Sequence, residues 1–150
     1  MIVYRIANEE FKTDISGEGS AIYGGRWNSI GMKLLYTSEF ISLTILESLV
    51  HFRSDLIPPS QFLLYIDIPE KDIIEISTDK LNSGWVTEPD YTQWIGDQFI
   101  NSNQAMILKV PSVIVPQESN LLINPLHKDF KKVKLISTEL LQLDKRLHIS

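Results

Sequence analysis

The segment GGRWNSIGMKLLYTSEFISLTILESLVHF, residues 24–52, decides how this chain is expected to fold. Its first five residues, Gly24 to Asn28, predict a basic loop hinged by glycines. An apolar strand is predicted at residues 33–37, and a helix from about Ser38 to Phe52 follows it, with Ser38 as the N-cap. A loop, a strand and a helix in immediate succession bring the ends of this segment toward one cleft.

One acidic residue interrupts the predicted helix, which is otherwise apolar on almost every side. Glu47 falls between Phe40 and Leu43 at a helical step of about 100° per residue, so its carboxylate does not lie on a solvated face. Because burying an unpaired carboxylate is costly, we expect Glu47 to meet a partner or to serve a ligand. With Arg26 as an anion-binding group and Tyr36 as an aromatic platform, Glu47 predicts a nucleotide-sugar site.

Composition excludes several classes of protein. A length of 150 residues predicts one compact domain spanning residues 1–150. No apolar run reaches the roughly 20 residues of a membrane span, and the N-terminus does not resemble a signal peptide, so we expect a cytoplasmic protein. The absence of cysteine excludes disulfides, thiolate zinc sites and cysteine nucleophiles. A formal net charge of -5 argues against general nucleic-acid binding.

The remaining pattern predicts more strands than helices. Strands are predicted at residues 2–6, 61–68, 72–76, 105–110, 112–116 and 132–136, and a second helix at about 89–102. Residues 12–32 contain five of the seven glycines and predict a long functional loop without secondary structure of its own. Because most connections are too short for βαβ crossovers, the fold class is α+β, with a mixed or antiparallel sheet core and flanking helices.

Three familiar kinds of site are not supported by the sequence. His51, His127 and His148 have no metal-ligand spacing, so we expect no metal. The glycine pairs do not match a phosphate-binding P-loop, and Ser112 lacks both a GxSxG motif and an evident histidine base. His127 is instead expected to fix the turn at Asn124-Pro125.

The large aromatic side chains divide into two groups. Tyr91 and Trp94 recur at helical spacing in the second predicted helix and are expected in the core. Trp27 and Trp85 lie in polar loops, where packing explains an indole less readily. For these two residues, ligand contact and a place in a pocket wall remain open.

The motifs of this chain, taken jointly, resemble the RES-domain toxins, a family named for an arginine, a glutamate and a serine. The resemblance runs nearly from end to end, and the ordered pattern GGRWN, YTS, LE, VPS and NPxH is specific where any single motif is weak. It is carried by Tyr4-Arg5, Gly17-Glu18-Gly19, Gly24 to Asn28, Tyr36-Thr37-Ser38, Leu46-Glu47, Gly96-Asp97, Val110-Pro111-Ser112, Val115-Pro116, Glu118, Asn120, Asn124-Pro125, His127, Asp129-Phe130, Asp144 and Arg146-Leu147.

This resemblance implies an ADP-ribosyltransferase-like fold and an enzyme that degrades NAD+ at the nicotinamide–ribose bond, by hydrolysis or by phosphorolysis. NAD+ is then the substrate, inorganic phosphate is the co-substrate in the second case, and no prosthetic group is needed. The resemblance also implies a bacterial type II toxin–antitoxin pair, in which an Xre-type helix-turn-helix antitoxin holds the toxin inactive. Transfer of ADP-ribose to a protein, and a non-catalytic module that binds a nucleotide or a partner, remain as alternatives.

The expected site residues follow from that chemistry. Four are expected to carry the reaction: Glu47, Arg26, Tyr36 and Ser112. Cleavage develops positive charge on the ribose, and the carboxylate of Glu47 would stabilise it. The pyrophosphate needs donors in a fixed fork, which favours Arg26 and Arg5 over the lysines late in the chain.

A second set is expected to bind the rest of the substrate. The positive nicotinamide ring attracts an aromatic face, so Tyr36, with Tyr4 or Trp27, is expected to stack on it. Ser112 is expected to hydrogen-bond the ribose or the amide, because it has no base that would make it a nucleophile. The resemblance adds Asn28 to this substrate-binding set.

Overall fold

The computed structural model describes residues 1–52 and 60–147. The strands of these residues are β1 (Ile2–Asn8), β2 (Leu35–Ser38), β3 (Gln61–Asp67), β4 (Ile73–Glu75), β5 (Ile107–Pro111), β6 (Ser119–Ile123) and β7 (Lys134–Leu140). The α-helices in the same residues are α1 (Glu18–Tyr23), α2 (Ile41–Leu49) and α3 (Pro89–Ser102). The strands form one sheet in the order β4-β5-β6-β2-β1-β3-β7, in which β4 and β5 are parallel and the other neighbours are antiparallel. The predicted α+β class with a mixed sheet is confirmed.

The sheet is nearly divided between β1 and β2. These two strands share one register pair, Tyr4 opposite Ser38, whereas β1 pairs with β3 at every one of its residues. One half of the sheet is therefore β1-β3-β7 and the other is β4-β5-β6-β2. The weak join between the halves is a seam where side chains of both strands face open space.

Apolar side chains pack in two clusters on opposite faces of the sheet. The first cluster includes Val3, Leu35, Leu64, Ile66, Ile107, Leu121 and Ile123. The second includes Trp27, Leu34, Trp85, Phe99, Ile100, Leu108, Val110 and Leu122. Successive strand residues such as Ile107 and Leu108 fall in different clusters, because their side chains point to opposite faces. Since Phe99 and Ile100 belong to α3, this helix covers the second face.

Helix α2 begins later than the sequence predicts. Ser38 ends β2, and its hydroxyl donates a hydrogen bond of 2.7 Å to Oδ1 of Asn120. Ser38 is therefore not the N-cap; that position belongs to Phe40. The carboxyl end of α2 lies before the predicted boundary, and Pro58-Pro59, which the sequence places beyond the helix, lie outside the described residues.

The glycine-rich segment is not a structureless loop, so that prediction is wrong. Helix α1 lies within it and begins after Gly17, whose backbone is left-handed with φ of 76°. A Cβ at Gly17 would also lie 3.1 Å from the backbone nitrogen of Leu34. The glycine at this position thus allows both the turn into α1 and its close approach to the chain before β2.

The predicted strand at residues 112–116 is also wrong. The hydroxyl oxygen of Ser112 accepts hydrogen bonds from the backbone amides of Ile114 and Val115, at 3.0 and 3.1 Å. These local bonds fold the chain into a turn that leads into β6, which is the strand that pairs here. Apolar character alone therefore misplaced the strand.

Helix α3 confirms the predicted range of residues 89–102, with Pro89 in the first turn, where its missing amide hydrogen costs nothing. The prediction that Trp94 lies in the core is wrong, because 61% of its surface is exposed. Tyr91 packs against the second cluster as expected.

Candidate active site

Two adjoining cavities lie at the seam between β1 and β2. The larger has a volume of about 350 Å³ and the smaller about 180 Å³. Both are bordered by Arg5, Tyr36, Glu47, His51 and Asn120. A ligand that fills both cavities would therefore have its middle beside these five side chains, which we call the shared wall.

Glu47 of α2 is half-buried in the shared wall. Its Oε1 accepts hydrogen bonds from the hydroxyl of Ser112 and from the side-chain amide of Asn120, each at 2.7 Å. None of the hydrogen bonds found among the described residues ends on Oε2. The two donors hold the carboxylate in one orientation and leave one of its oxygens for a ligand, which confirms that Glu47 meets partners.

Ser112 is held by hydrogen bonds within the protein. It is fully buried, lines neither cavity, and donates its single hydroxyl proton to Glu47. Its oxygen already accepts from the amides of Ile114 and Val115. These three bonds use the hydrogen-bonding capacity of the hydroxyl within the protein, so Ser112 orients Glu47 here, and its contact with the ribose or the amide stays a prediction.

Asn120 is a site residue that the sequence-based assignment missed. It donates to Glu47 through Nδ2 and accepts from the hydroxyl of Ser38 through Oδ1. Because β6 lies between β2 and β5, Asn120 is opposite Ser38 on one side and Val110 on the other. Its place among the residues that carry the family resemblance was the available signal, but a lone asparagine in a strand has no spacing that marks it as functional.

Arg5 is half-buried and borders both cavities. Its Nε is buried without a hydrogen-bond partner, and none of the ion pairs of the described residues includes Arg5. Burial lowers the pKa of Arg5, and the attraction of Asp14 partly opposes that shift. Because Nε has no hydrogen-bond partner among the described residues, the guanidinium is available to pair with an anion.

Arg26 and Trp27 both line the larger cavity, as predicted for the loop. The Nη1 of Arg26 donates a hydrogen bond of 2.9 Å to the carbonyl oxygen of Val86. The indole of Trp27 is only 2% exposed and packs against Trp85, with 6.1 Å between ring centroids. Trp27 is thus a pocket wall that also belongs to the core, whereas Trp85 lies behind it and lines neither cavity.

The Tyr36 hydroxyl is bound within the protein. It donates to Oδ1 of Asn28 at 2.6 Å and accepts from the Trp27 amide at 3.0 Å, and burial raises the pKa of Tyr36. Its ring, rather than its hydroxyl, is left for a ligand. Asn28 is completely buried, and its Nδ2 donates to the carbonyl oxygens of Ser20 and Met32. The side chain of Asn28 therefore holds the loop together, and its contact with substrate stays a prediction.

Tyr4 and His51 complete the polar lining. Tyr4 borders the smaller cavity and meets the ring of Tyr65 edge-on, with 5.5 Å between centroids. His51 follows α2, is exposed, and borders both cavities. The sequence considered His51 only as a metal ligand, although its position four residues after Glu47 indicates that both face the same side.

His127, unlike His51, lies outside the candidate site and has a structural role. His127 is buried at the start of a 3-10 helix, where its Nδ1 accepts from the amide of Asp129 and its backbone amide donates to the carbonyl oxygen of Asn124.

Within residues 1–52 and 60–147, no group of three or more His, Asp or Glu side chains is arranged to hold a metal ion. In the same ranges, none of the helices has the length and apolarity that crossing a membrane requires.

Comparison with known proteins identifies the family. The profile of the RES domain matches residues 2–144. The chain belongs to the RES domain family. A RES relative from Sphingobium sp. strain YBL2, named Prs ADP-ribosylating toxin, is 41% identical over 126 residues, which cover 81% of this chain and 78% of the relative. A relative from Photorhabdus laumondii, named toxin Res, is 39% identical over 135 residues, which cover 88% and 86%.

A solved structure shares the fold of this RES domain. It is a chain of the toxin–antitoxin complex MbcT–MbcA of M. tuberculosis. The TM-score is 0.79 at 16% sequence identity, and the match covers 93% of this chain and 83% of the other. At 16% identity this similarity shows a shared fold only. The resemblance to RES-domain proteins in the sequence motifs is confirmed by the match to the family profile.

Proposed function

We propose that this RES domain protein is the toxin of a toxin–antitoxin pair and that it consumes NAD+ in the cytoplasm by cleaving the nicotinamide–ribose bond. The relatives named as toxins support the first part. The observation that carries the second part is the carboxylate of Glu47, oriented through one oxygen by Ser112 and Asn120. It stands in the shared wall together with Arg5, whose Nε has no hydrogen-bond partner among the described residues.

The substrate class follows from the charges of the two cavities. Arg5 borders both cavities and Arg26 borders the larger one, so an elongated anion would meet two guanidinium groups. A dinucleotide carries its two negative charges on the pyrophosphate, between its two nucleoside halves. Guanidinium groups bind such oxygens through paired, charge-assisted hydrogen bonds.

The reaction needs little chemistry from the protein beyond charge stabilisation. When the bond between the nicotinamide nitrogen and the ribose carbon breaks, its electron pair leaves with neutral nicotinamide, and positive charge develops on the ribose. We infer that Glu47 stabilises this charge through Oε2, and that the ring of Tyr36 stacks on the positive nicotinamide. An oxygen of water or of inorganic phosphate then forms the new bond to the ribose carbon; in hydrolysis a proton is released.

The proposed partner is an antitoxin of the Xre helix-turn-helix type. The MbcT–MbcA structure, which shares the fold, is itself a toxin–antitoxin complex. An antitoxin that covers the two cavities would prevent substrate entry. A helix-turn-helix protein is then expected to be encoded beside this chain, and its coexpression should restore growth of cells that express the toxin.

The test uses purified protein freed of any bound antitoxin and follows release of nicotinamide from NAD+ with and without inorganic phosphate. Release that requires phosphate would identify phosphorolysis, and release in its absence would identify hydrolysis. Glu47→Gln preserves the shape of the side chain and should lower the rate about 100-fold or more. Glu75→Gln is the matched control, because Glu75 lies exposed on β4. Absence of nicotinamide release under both conditions, from folded protein, would contradict NAD+ cleavage.

A second candidate function is transfer of ADP-ribose to a protein side chain. It is favoured by the name of the Sphingobium relative, an ADP-ribosylating toxin. NAD+ labelled in the adenine half and incubated with cell lysate would then produce a discrete labelled protein band that Glu47→Gln abolishes. A non-catalytic binding module would show neither nicotinamide release nor a band, and Glu47→Gln would leave its effect on growth unchanged.

A further inference from the structure

We propose that helix α3 is the element that positions Arg26, through one face whose residues hold the backbone of residues 25–29. The face consists of Thr92, Gln93, Gly96 and Asp97. Thr92 and Gly96 are four residues apart, as are Gln93 and Asp97, so all four lie on the same side of the helix. The expected effect on the KM for NAD+ rests on the proposed function, whereas the expected effect on the backbone of residues 25–29 does not.

Two side chains of this face donate to carbonyl oxygens of the loop. The hydroxyl of Thr92 donates to the carbonyl oxygen of Arg26 at 2.6 Å, and Nε2 of Gln93 donates to that of Gly25 at 2.9 Å. Thr92 is completely buried, so water does not compete for this bond. The peptide groups on both sides of the Arg26 Cα are therefore attached to α3.

The other two residues fix the second half of the loop. A carboxylate oxygen of Asp97 accepts from the amide of Ser29 at 3.0 Å, and the other accepts from the Ser29 hydroxyl. At Gly96, an added Cβ would lie 1.5 Å from the carbonyl oxygen of Trp27. This distance is impossible for any side chain, so the glycine is required by direct contact of the helix with the loop backbone.

The loop is also held on the side opposite α3. The Tyr36 hydroxyl bonds to the amide of Trp27 and to the side chain of Asn28. At Gly25, an added Cβ would lie 2.6 Å from that hydroxyl oxygen. The backbone of residues 25–29 is thus enclosed between Tyr36 and α3, and the side chain of Arg26 extends from it into the larger cavity.

A fixed backbone reduces the conformations that the guanidinium of Arg26 must give up when an anion binds, which is the physical basis of preorganisation. Glu47 is on α2 and has its own donors, so it is independent of this arrangement. Weakening α3 contacts should therefore reduce substrate affinity and leave bond cleavage nearly unchanged. Thr92 and Gln93 act as positioning residues, since neither borders the two cavities of the candidate site.

The test compares Thr92→Val, which keeps the shape of the side chain but removes the donor, with Ser102→Ala. Ser102 is the control because it lies on α3 and its hydroxyl also donates to a backbone carbonyl, that of Phe99, which is not part of residues 25–29. We expect Thr92→Val to raise the KM for NAD+ about fivefold with kcat within about twofold, because one hydrogen bond is lost. Thr92→Ser should restore the KM, and Ser102→Ala should not change it.

A double-mutant cycle tests whether Thr92 affects the KM through Arg26. In an Arg26→Ala background, Thr92→Val should add no further increase in KM, since the residue through which it acts is gone. A full additional increase in that background, or equal changes in KM for Thr92→Val and Ser102→Ala, would overturn the proposal.

Hydrogen exchange keeps this proposal separate from the proposed function. Thr92→Val should speed exchange of the amides of residues 26–28 and leave those of β3 unchanged, whether or not the protein consumes NAD+. If the wild type releases no nicotinamide, NAD+ cleavage is contradicted while exchange still decides the role of α3. Unchanged exchange at residues 26–28 would overturn that role.

Discussion

Glu47 of α2 and Ser112, 65 residues apart in the chain, are joined by a hydrogen bond of 2.7 Å from the serine hydroxyl to Oε1. Asn120 donates to the same oxygen at the same distance. Both donors therefore orient the carboxylate, and neither competes for the oxygen that the proposed reaction requires. This division between orientation and chemistry makes the role of each residue separately testable.

Ser112→Ala should lower kcat for NAD+ about tenfold and leave the KM nearly unchanged, because the carboxylate of Glu47 loses one of its two orienting donors. The amides of Ile114 and Val115 also lose their acceptor, so the free energy of unfolding should fall by about 1–3 kcal/mol. Steady-state kinetics and urea unfolding measure the two effects. A rise in KM at constant kcat would instead restore the predicted contact between Ser112 and the substrate.

Arg5→Met should raise the KM for NAD+ at least tenfold while stability is retained or increased by about 1 kcal/mol. The reason is that a half-buried guanidinium, whose Nε has no hydrogen-bond partner among the described residues, is replaced by an apolar side chain of similar length. Thermal unfolding and kinetics, with Arg146→Met as an exposed control, measure both quantities. Lower stability together with an unchanged KM would show that Arg5 is structural.

Gly25→Ala should unfold or strongly destabilise the loop, by about 2 kcal/mol or more, because the new Cβ would lie 2.6 Å from the Tyr36 hydroxyl and 2.8 Å from Oδ1 of Asn28. The comparison is Gly19→Ala, which meets open space inside α1 and should leave stability unchanged or raise it by about 0.5–1 kcal/mol. Thermal unfolding distinguishes the two. Equal stabilities would show that the loop yields to the methyl group.

The pH dependence of stability should report the burial of Tyr36. Burial raises the pKa of this hydroxyl, the Trp27 amide opposes the shift, and Asp97 adds to it. The unfolded value is about 10, so the folded protein keeps the proton to a higher pH than the unfolded chain. The resulting stability is complete below pH about 10 and is lost as the pH rises toward the folded value.

Wild type should accordingly lose unfolding free energy more steeply above pH about 10 than Tyr36→Phe does. Tyr23→Phe is the control, since Tyr23 is 82% exposed, and it should follow the wild-type slope. Urea unfolding at a series of alkaline pH values measures the slopes. Parallel curves for wild type and Tyr36→Phe would contradict the burial of this hydroxyl.

The sequence pattern predicts an element correctly where its conformation depends mainly on its own residues. Helix α3 was predicted at its observed bounds because Pro89 fits a first turn and apolar residues recur at helical spacing. The same reasoning misplaced Trp94, since periodicity identifies a helix more reliably than it identifies which face is covered. It also misassigned residues 112–116, where the hydroxyl of Ser112 satisfies local amides and ends the strand.

The sequence alone determined the α+β class, the arginine loop, and a helical carboxylate that must either meet a partner or serve a ligand, because each follows from patterns of residues near one another in the chain. Which groups meet that carboxylate was decided only by the tertiary structure. Ser112 and Asn120 reach Glu47 from 65 and 73 positions away. A hydrogen bond forms only between a donor and an acceptor that lie within about 3 Å of each other, so the partners of Glu47 depend on which groups the fold brings together.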